Sequence, residues 1–412
     1  MTSRLLAPAL LLLALAAPAF AQDAAPDPFA TARFRFGALA MTPTVGITNL
    51  GWDSNVFNEW EDPKGDFTAT VTPAADMWVR MGPLRLVGRG SIGYVYFANY
   101  PNERAWNTDD SVRLETRGTH VRPYIGYGYL NVRERPGYEI DQRVRRIENK
   151  SSAGIDLPLT RKTTLGAAFR RTKTDYPETE TFNDVYLRFT FNRRTDVYTV
   201  AARHALTPLT TIFLDTEYVR EKFEYDFVRN SAGFRLLPGV EFKPLALVNG
   251  TARVGYRRLN FDSPTVPDYS GVVASVNLGY TLMGVTRFGV QVDRDVQFSY
   301  EQREPYYIQT GLTGTITQRL SNTWDLQARA GNQQLAYRTA LVIGPAPPEL
   351  PAEPAAKAGR VDNVVFYGGG AGYRLGPGLR LGVNVDYYTR RSDIEINQYP
   401  GLRIGSSVTY GF

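Results

Sequence analysis

The stretch "LRIGSSVTYGF" (402–412) carries the reading of the fold. Leu402, Ile404, Val408, Tyr410 and Phe412 share one parity, and Arg403, Gly405, Ser407, Thr409 and Gly411 the other. A period of two kept to the final residue marks a strand with one apolar face. Chain ends ordinarily fray into polar residues, so this face needs a cover. The alternation recurs upstream. In "LRLGVNVDYYTR" (379–390), Leu379, Leu381, Val383, Val385 and Tyr387 oppose Arg380, Gly382, Asn384, Asp386 and Tyr388. In "RFGVQVDRDVQFSY" (287–300), Phe288, Val290, Val292, Val296 and Phe298 oppose Arg287, Gln291, Asp293, Asp295 and Gln297. Arg294 breaks that apolar row and requires a bulge or a neighbour to explain it.

Connection lengths alternate along the whole chain. Eight tight ones, from "RMGPL" (80–84) to "LGPGL" (375–379), separate nine longer polar segments, from 53–66 to 391–400. This pattern predicts an all-β chain of about eighteen strands, sixteen being the alternative, with both termini on the short-turn side. An even strand number with short turns at one end and long loops at the other marks a closed antiparallel transmembrane β-barrel. The segment 184–207 switches parity near Asn192–Thr195, and one long bulged strand keeps the count even. A soluble sandwich is the rival. Against it stand Gly/Ser/Thr-rich polar faces and aromatic clusters near strand ends such as "YVYFANY" (94–100) and "PYYI" (305–308), where interfacial girdles sit.

The opposite terminus fits an exported chain. Arg4, the apolar run Leu5–Ala17 and the small-x-small site Ala19-Phe20-Ala21 read as a signal peptide (1–21) cleaved after Ala21. A short periplasmic leader (22–35) follows, too small for a transporter plug, and the barrel is expected over 36–412. The chain has 412 residues and no Cys, which excludes a disulfide framework or a cysteine-linked lipid. A net charge of +6 over this length is no nucleic-acid signature.

Few residues suggest chemistry. Barrel hydrolases resemble one another in placing their histidine near the outer rim or on the lipid-facing outer wall; His120 and His204 both fall at or near short turns, away from the rim, and no catalytic residue is assigned. With no Cys and two distant His, neither a metal site nor a cofactor is expected. The "GGG" at 368–370 lies inside a strand, where it eases curvature. What remains is the polar face. By parity the lumen should be lined by Arg85, Arg89, Arg235, Arg253, Arg287, Asp293, Asp295, Arg380, Asp386 and Arg403, with Arg113, Arg117, Asp215 and Glu217 among their neighbours. Such charges brace a wet barrel, and they also attract anionic solutes. Two loops stand out. "RERPGYEIDQRVRRIENK" (133–150), the most basic, is expected in solvent or against lipopolysaccharide phosphates. "GPAPPELPAEPAAKAG" (344–359) is expected to lie extended outside or to fold inward as a gate.

The terminus with Val408, Tyr410 and Phe412 resembles the C-terminal signal of outer-membrane barrels, which implies recognition by the barrel-assembly machinery. The whole mature chain resembles the family of putative outer-membrane β-barrel porins of Gram-negative bacteria. The resemblance is carried by "VGITNLGWDSNVFN" (45–58) and "LTPLTTIFLDTEYVREKF" (206–223). Some members accompany exopolysaccharide genes. It implies a non-enzymatic passive channel in the outer membrane, in contact with lipid and lipopolysaccharide. An exit for a secreted polysaccharide, with export components as partners, is one form of it. A non-conducting structural or adhesin-like barrel is the alternative, and a barrel-embedded hydrolase a remote one.

Overall fold

A computed structural model describes residues 32–341 and 359–410, except 117, 245 and 377, together with Phe29. The stretch 1–21, Arg117, most of the tract 344–359 and Phe412 lie outside the described residues. Eighteen strands form the wall. They are β1 (Leu39–Asp53), β2 (Asp66–Met81), β3 (Leu84–Phe97), β4 (Ala105–Thr116), β5 (Arg122–Glu134) and β6 (Val144–Pro158). Next come β7 (Thr163–Asp175), β8 (Arg193–Thr207), β9 (Thr210–Phe223), β10 (Ser231–Phe242), β11 (Val248–Phe261) and β12 (Tyr269–Leu282). The last are β13 (Thr286–Phe298), β14 (Tyr306–Arg319), β15 (Trp324–Arg338), β16 (Val361–Arg374), β17 (Leu379–Arg391) and β18 (Tyr399–Tyr410).

Each wall strand pairs antiparallel with its chain neighbours, and β1 pairs with β18, for example Ile47↔Val408, Trp52↔Ile404 and Asp53↔Arg403. The ring is therefore closed, which leaves no edge strand to aggregate. Short turns and long loops fall where the sequence places them. The register aligns the apolar rows: Leu381 faces Val408, Val385 faces Ile404 and Tyr387 faces Leu402. Leu381, Val385, Leu402 and Ile404 stay exposed in the isolated molecule, with Tyr387 and Val408 half-buried beside them, and Phe234, Leu236, Phe288 and Val290 are exposed as well. A band of exposed apolar residues over the outer wall is stable only against hydrocarbon.

Two expectations are corrected. The segment 184–207 is not one bulged strand. The short pairing Val185↔Phe182 and the one-turn helix Leu187–Phe191 belong to the loop, and the wall strand begins at Arg193. The parity switch at Asn192–Thr195 is the border between the two. In addition, Tyr306, Tyr307 and Ile308 of "PYYI" do not join an interfacial girdle; all three are buried.

Candidate functional site

The site begins where the wall stops pairing. Along the β12–β13 seam the ladder ends at Ala274↔Arg294, although both strands continue toward the long-loop end. Along the β4–β5 seam it ends at Thr108↔Asn131. Above these points the hairpins β5–β6 and β13–β14 remain paired internally, to Glu134↔Val144 and Phe298↔Tyr306. Freed on one flank, each leans over the mouth. Their tips meet: Ser299 Oγ donates to Glu139 at 2.6 Å, and the Tyr300 N–H at 3.2 Å. The two hairpins stand eight places apart in an eighteen-strand ring, so this contact spans the opening.

Arg294 now has its explanation. Its Nε donates to the Val272 carbonyl at 3.2 Å, and the Tyr269 hydroxyl reaches the same oxygen at 3.0 Å. The side chain that interrupts the apolar row satisfies an acceptor that the open seam would leave unmade. Beyond it, Val296, Tyr306 and Ile308 cluster with Leu259, Phe261, Tyr269 and Val273, and Phe298 stacks edge-on against Phe223 of β9 at 4.8 Å. The apolar row that is exposed lower on β13 thus turns against its own barrel.

Two cores hold the closure. One is apolar: Ile140 and Val144 meet Tyr176, Phe182, Leu187, Phe191 and Tyr300, joining three loops. The other is ionic, centred on the fully buried Arg360, Arg390 and Asp362. Arg360 binds Asp362 at 2.9 Å, Glu301 at 2.7 Å and Glu304 at 3.1 Å, and its guanidinium lies 3.9 Å from the Tyr337 ring centre. Arg390 binds Asp362 at 2.7 Å, Asp141 at 3.0 Å and the Glu139 carbonyl at 3.0 Å. Burial pushes the carboxyls of Glu139 and Glu304 up to about 7 and that of Asp141 to about 6, with the arginines opposing each rise.

The segment 133–150 is therefore no solvated basic loop. Tyr138 packs against Tyr307, Leu335, Tyr337 and Val364 on the far side of the ring. The sequence reading missed this closure. Its signal was the apolar pair Tyr138 and Ile140 inside an otherwise charged stretch.

Most of the parity-selected charges sit in ion pairs on one face. Arg85 pairs with Glu115, Arg89 with Asp76 at 3.3 Å, Arg253 with Asp215 at 3.8 Å and Arg403 with Asp53 at 2.6 Å. Others reach beyond adjacent strands. Arg235 of β10 meets Asp295 of β13 at 2.9 Å, and Asp293 accepts from Gln309 at 3.0 Å and Gln333 at 3.4 Å. Arg380 and Asp386 of β17 cross β16 to Asp325 (3.1 Å) and Arg329 (2.6 Å) of β15. Such reaches favour the concave side of a ring. The glycines of "GGG" give clearance: a Cβ on Gly368 would lie 1.9 Å from Asp386 Oδ1, and one on Gly370 2.1 Å from Asn384 Oδ1. Arg287 is exposed and lies beside Gly279. Each histidine Nδ1 contacts a threonine hydroxyl at 2.9 Å, Thr119 for His120 and Thr163 for His204.

Comparison with known proteins agrees with this architecture. The OccK2 (OpdF) structure from Pseudomonas aeruginosa, in complex with glucuronate, superposes with a TM-score of 0.51 at 11% identity, over 90% of this chain and 97% of that one. A BenF-like porin from Pseudomonas fluorescens Pf-5 gives a TM-score of 0.49 at 11% identity, covering 90% and 99%. At 11% identity the likeness to OccK2 is one of fold. No curated protein matches the sequence. The family model described as Putative beta-barrel porin 2 matches residues 27–412. With nearly its whole length matched, the chain belongs to the putative beta-barrel porin 2 family and is a porin-like outer-membrane β-barrel.

Proposed function

We propose that the protein is a passive channel whose lumen is lined by the charged face (Arg85, Arg89, Arg235, Arg253, Arg287, Asp293, Asp295, Arg380, Asp386 and Arg403) and narrowed by the two hairpin tips. The observation that carries this reading is the strand number. Eight strands enclose only enough room for side chains, whereas sixteen to eighteen leave an aqueous bore. Export of a secreted polysaccharide is the specific use proposed, and it rests on the family resemblance alone. In this reading the long loops face outward, residues 1–21 direct export, and Val408, Tyr410 and Phe412 address the chain to the assembly machinery. Planar-bilayer recording tests the channel: discrete conductance steps are expected, reduced by added anionic polysaccharide. Deleting Phe412 should lower the yield of folded barrel in the outer membrane. The ion network at the mouth, with Arg360, Arg390 and Asp362 buried at its centre, favours a second reading, a closed barrel serving as an anchor. Bilayers that stay silent with folded protein inserted would select it.

A further inference from the structure

Beside the β5–β6 tip lies a cavity of about 370 Å³, within the ~300–1,000 Å³ typical of small-ligand sites. Its wall carries four arginines, Arg135, Arg143, Arg329 and Arg403, against two aspartates, Asp53 and Asp386. Arg403 holds Asp53 and Arg329 holds Asp386, both at 2.6 Å, yet the arginine side chains remain 41% and 48% exposed. Arg143 shares Glu103 with Arg133. Arg135 differs. It donates only to backbone carbonyls, those of Val56 at 2.8 Å and Asp141, and no carboxylate pairs with it among the described residues. Burial, reinforced by the like charge of Arg403, pushes its guanidinium pKa down. Asp53 and Asp141 attract it only from a distance, each being paired with another arginine, Arg403 and Arg390. A partly desolvated cation with no carboxylate bound directly to it, facing a cavity, is a site prepared for an anion.

The rest of the lining narrows the anion's chemistry. Thr48, Asn49, Thr70, Asn384 and Ser407 bring hydroxyl and amide groups to the same space. They suit a polyhydroxylated ring better than a bare ion. The guanidinium fork matches a carboxylate in two parallel hydrogen bonds.

We infer that this cavity is a binding subsite for a carboxylated sugar unit, with Arg135 as the fixed charge and Arg329 and Arg403 flanking it. The proposal deepens the channel reading by naming a solute class, although binding itself requires no conduction.

The test is isothermal titration calorimetry on the full-length protein in detergent, with glucuronate, glucose and acetate as probes. Glucuronate should bind at least tenfold more tightly than either other probe, and its affinity should fall as salt rises. Arg135→Gln and Arg329→Gln should each weaken it about tenfold, the scale of one hydrogen bond to a charged group. Because Arg329 lies on the wall and is half exposed, its variant reports even where Arg135→Gln disturbs the tip; Arg135→Lys should restore part of the affinity. Glucose binding equal to glucuronate, acetate binding equal to glucuronate, or no glucuronate binding to folded protein would each overturn the proposal. So would wild-type affinity in both glutamine variants. A barrel that binds glucuronate but never conducts would sink the channel reading and leave the subsite standing.

Discussion

Replacing Glu139 by Gln asks whether the meeting of the two hairpins governs passage. Glu139 is 2% exposed and receives the Ser299 hydroxyl and the Tyr300 N–H. Burial raises its carboxyl from 4.5 to about 7, although both donors and the charges of Arg390 and Arg360 pull the other way. The closed contact therefore holds a proton more tightly than the same carboxyl would in water. Its stability is complete below about 4.5, falls as pH rises from there to about 7, and stays low above. A displacement of that size corresponds to roughly 3 kcal/mol between the two protonation states, or up to roughly 300-fold in the closed-to-open ratio. Glutamine keeps the shape and cannot ionise. Single-channel records from pH 4 to 8 should show wild-type open probability climbing across this window. In Glu139→Gln the climb should shrink, leaving only the share of Asp141 and Glu304, whose carboxyls burial raises in the same direction. A variant with the full wild-type pH response would refute the assignment of the gate to this contact.

Two further outcomes follow from the same geometry. Arg360→Met leaves Glu301, Glu304 and Asp362 with too few cations in a buried site. Breaking such a network costs about 3–5 kcal/mol, so the heat needed to unfold the barrel on semi-native gels should fall, and an unchanged transition would contradict the ionic core. Arg294→Ala strips the Val272 carbonyl of its arginine donor and leaves it the Tyr269 hydroxyl alone, a local loss on the order of 1 kcal/mol. Amides of Tyr269–Val273 and Asp295–Phe298 should exchange hydrogen faster while lower ladder amides keep their rates; uniform exchange would show that the seam needs no seal.

The wall was legible because it is local. Parity names the face of each residue, and Gly, Pro and Asn mark the turns, so strand number and connection pattern follow from windows of ten to twenty residues. The closure was not legible, because it is made across the ring. Glu139 and Ser299 are 160 positions apart, and no local pattern announces that two hairpins lean together. What the sequence did hold were misfits. Arg294 sits in an apolar row, Tyr138 and Ile140 in a charged loop, and the parity changes near Asn192. Each marks a place where the repeating wall gives way to a specific contact. The polar parity set mixed wall braces such as Arg85 and Arg253 with cavity residues such as Arg403, since alternation reports side and not height.

The glycine lane on β16 has a consequence for how such a barrel can be tuned. Asp386, Asn384 and Arg380 lie flat over Gly368, Gly370 and Gly372 because nothing projects beneath them. At Gly372 the three atoms nearest to an added methyl all belong to the Arg380 guanidinium, so a methyl there would lift that charge off the wall and into the path of whatever travels past it. Calibre could thus be reset there by a single substitution, whereas at Gly368 and Gly370 the same methyl would also press on the carbonyls of Val385 and Val383 and strain the wall.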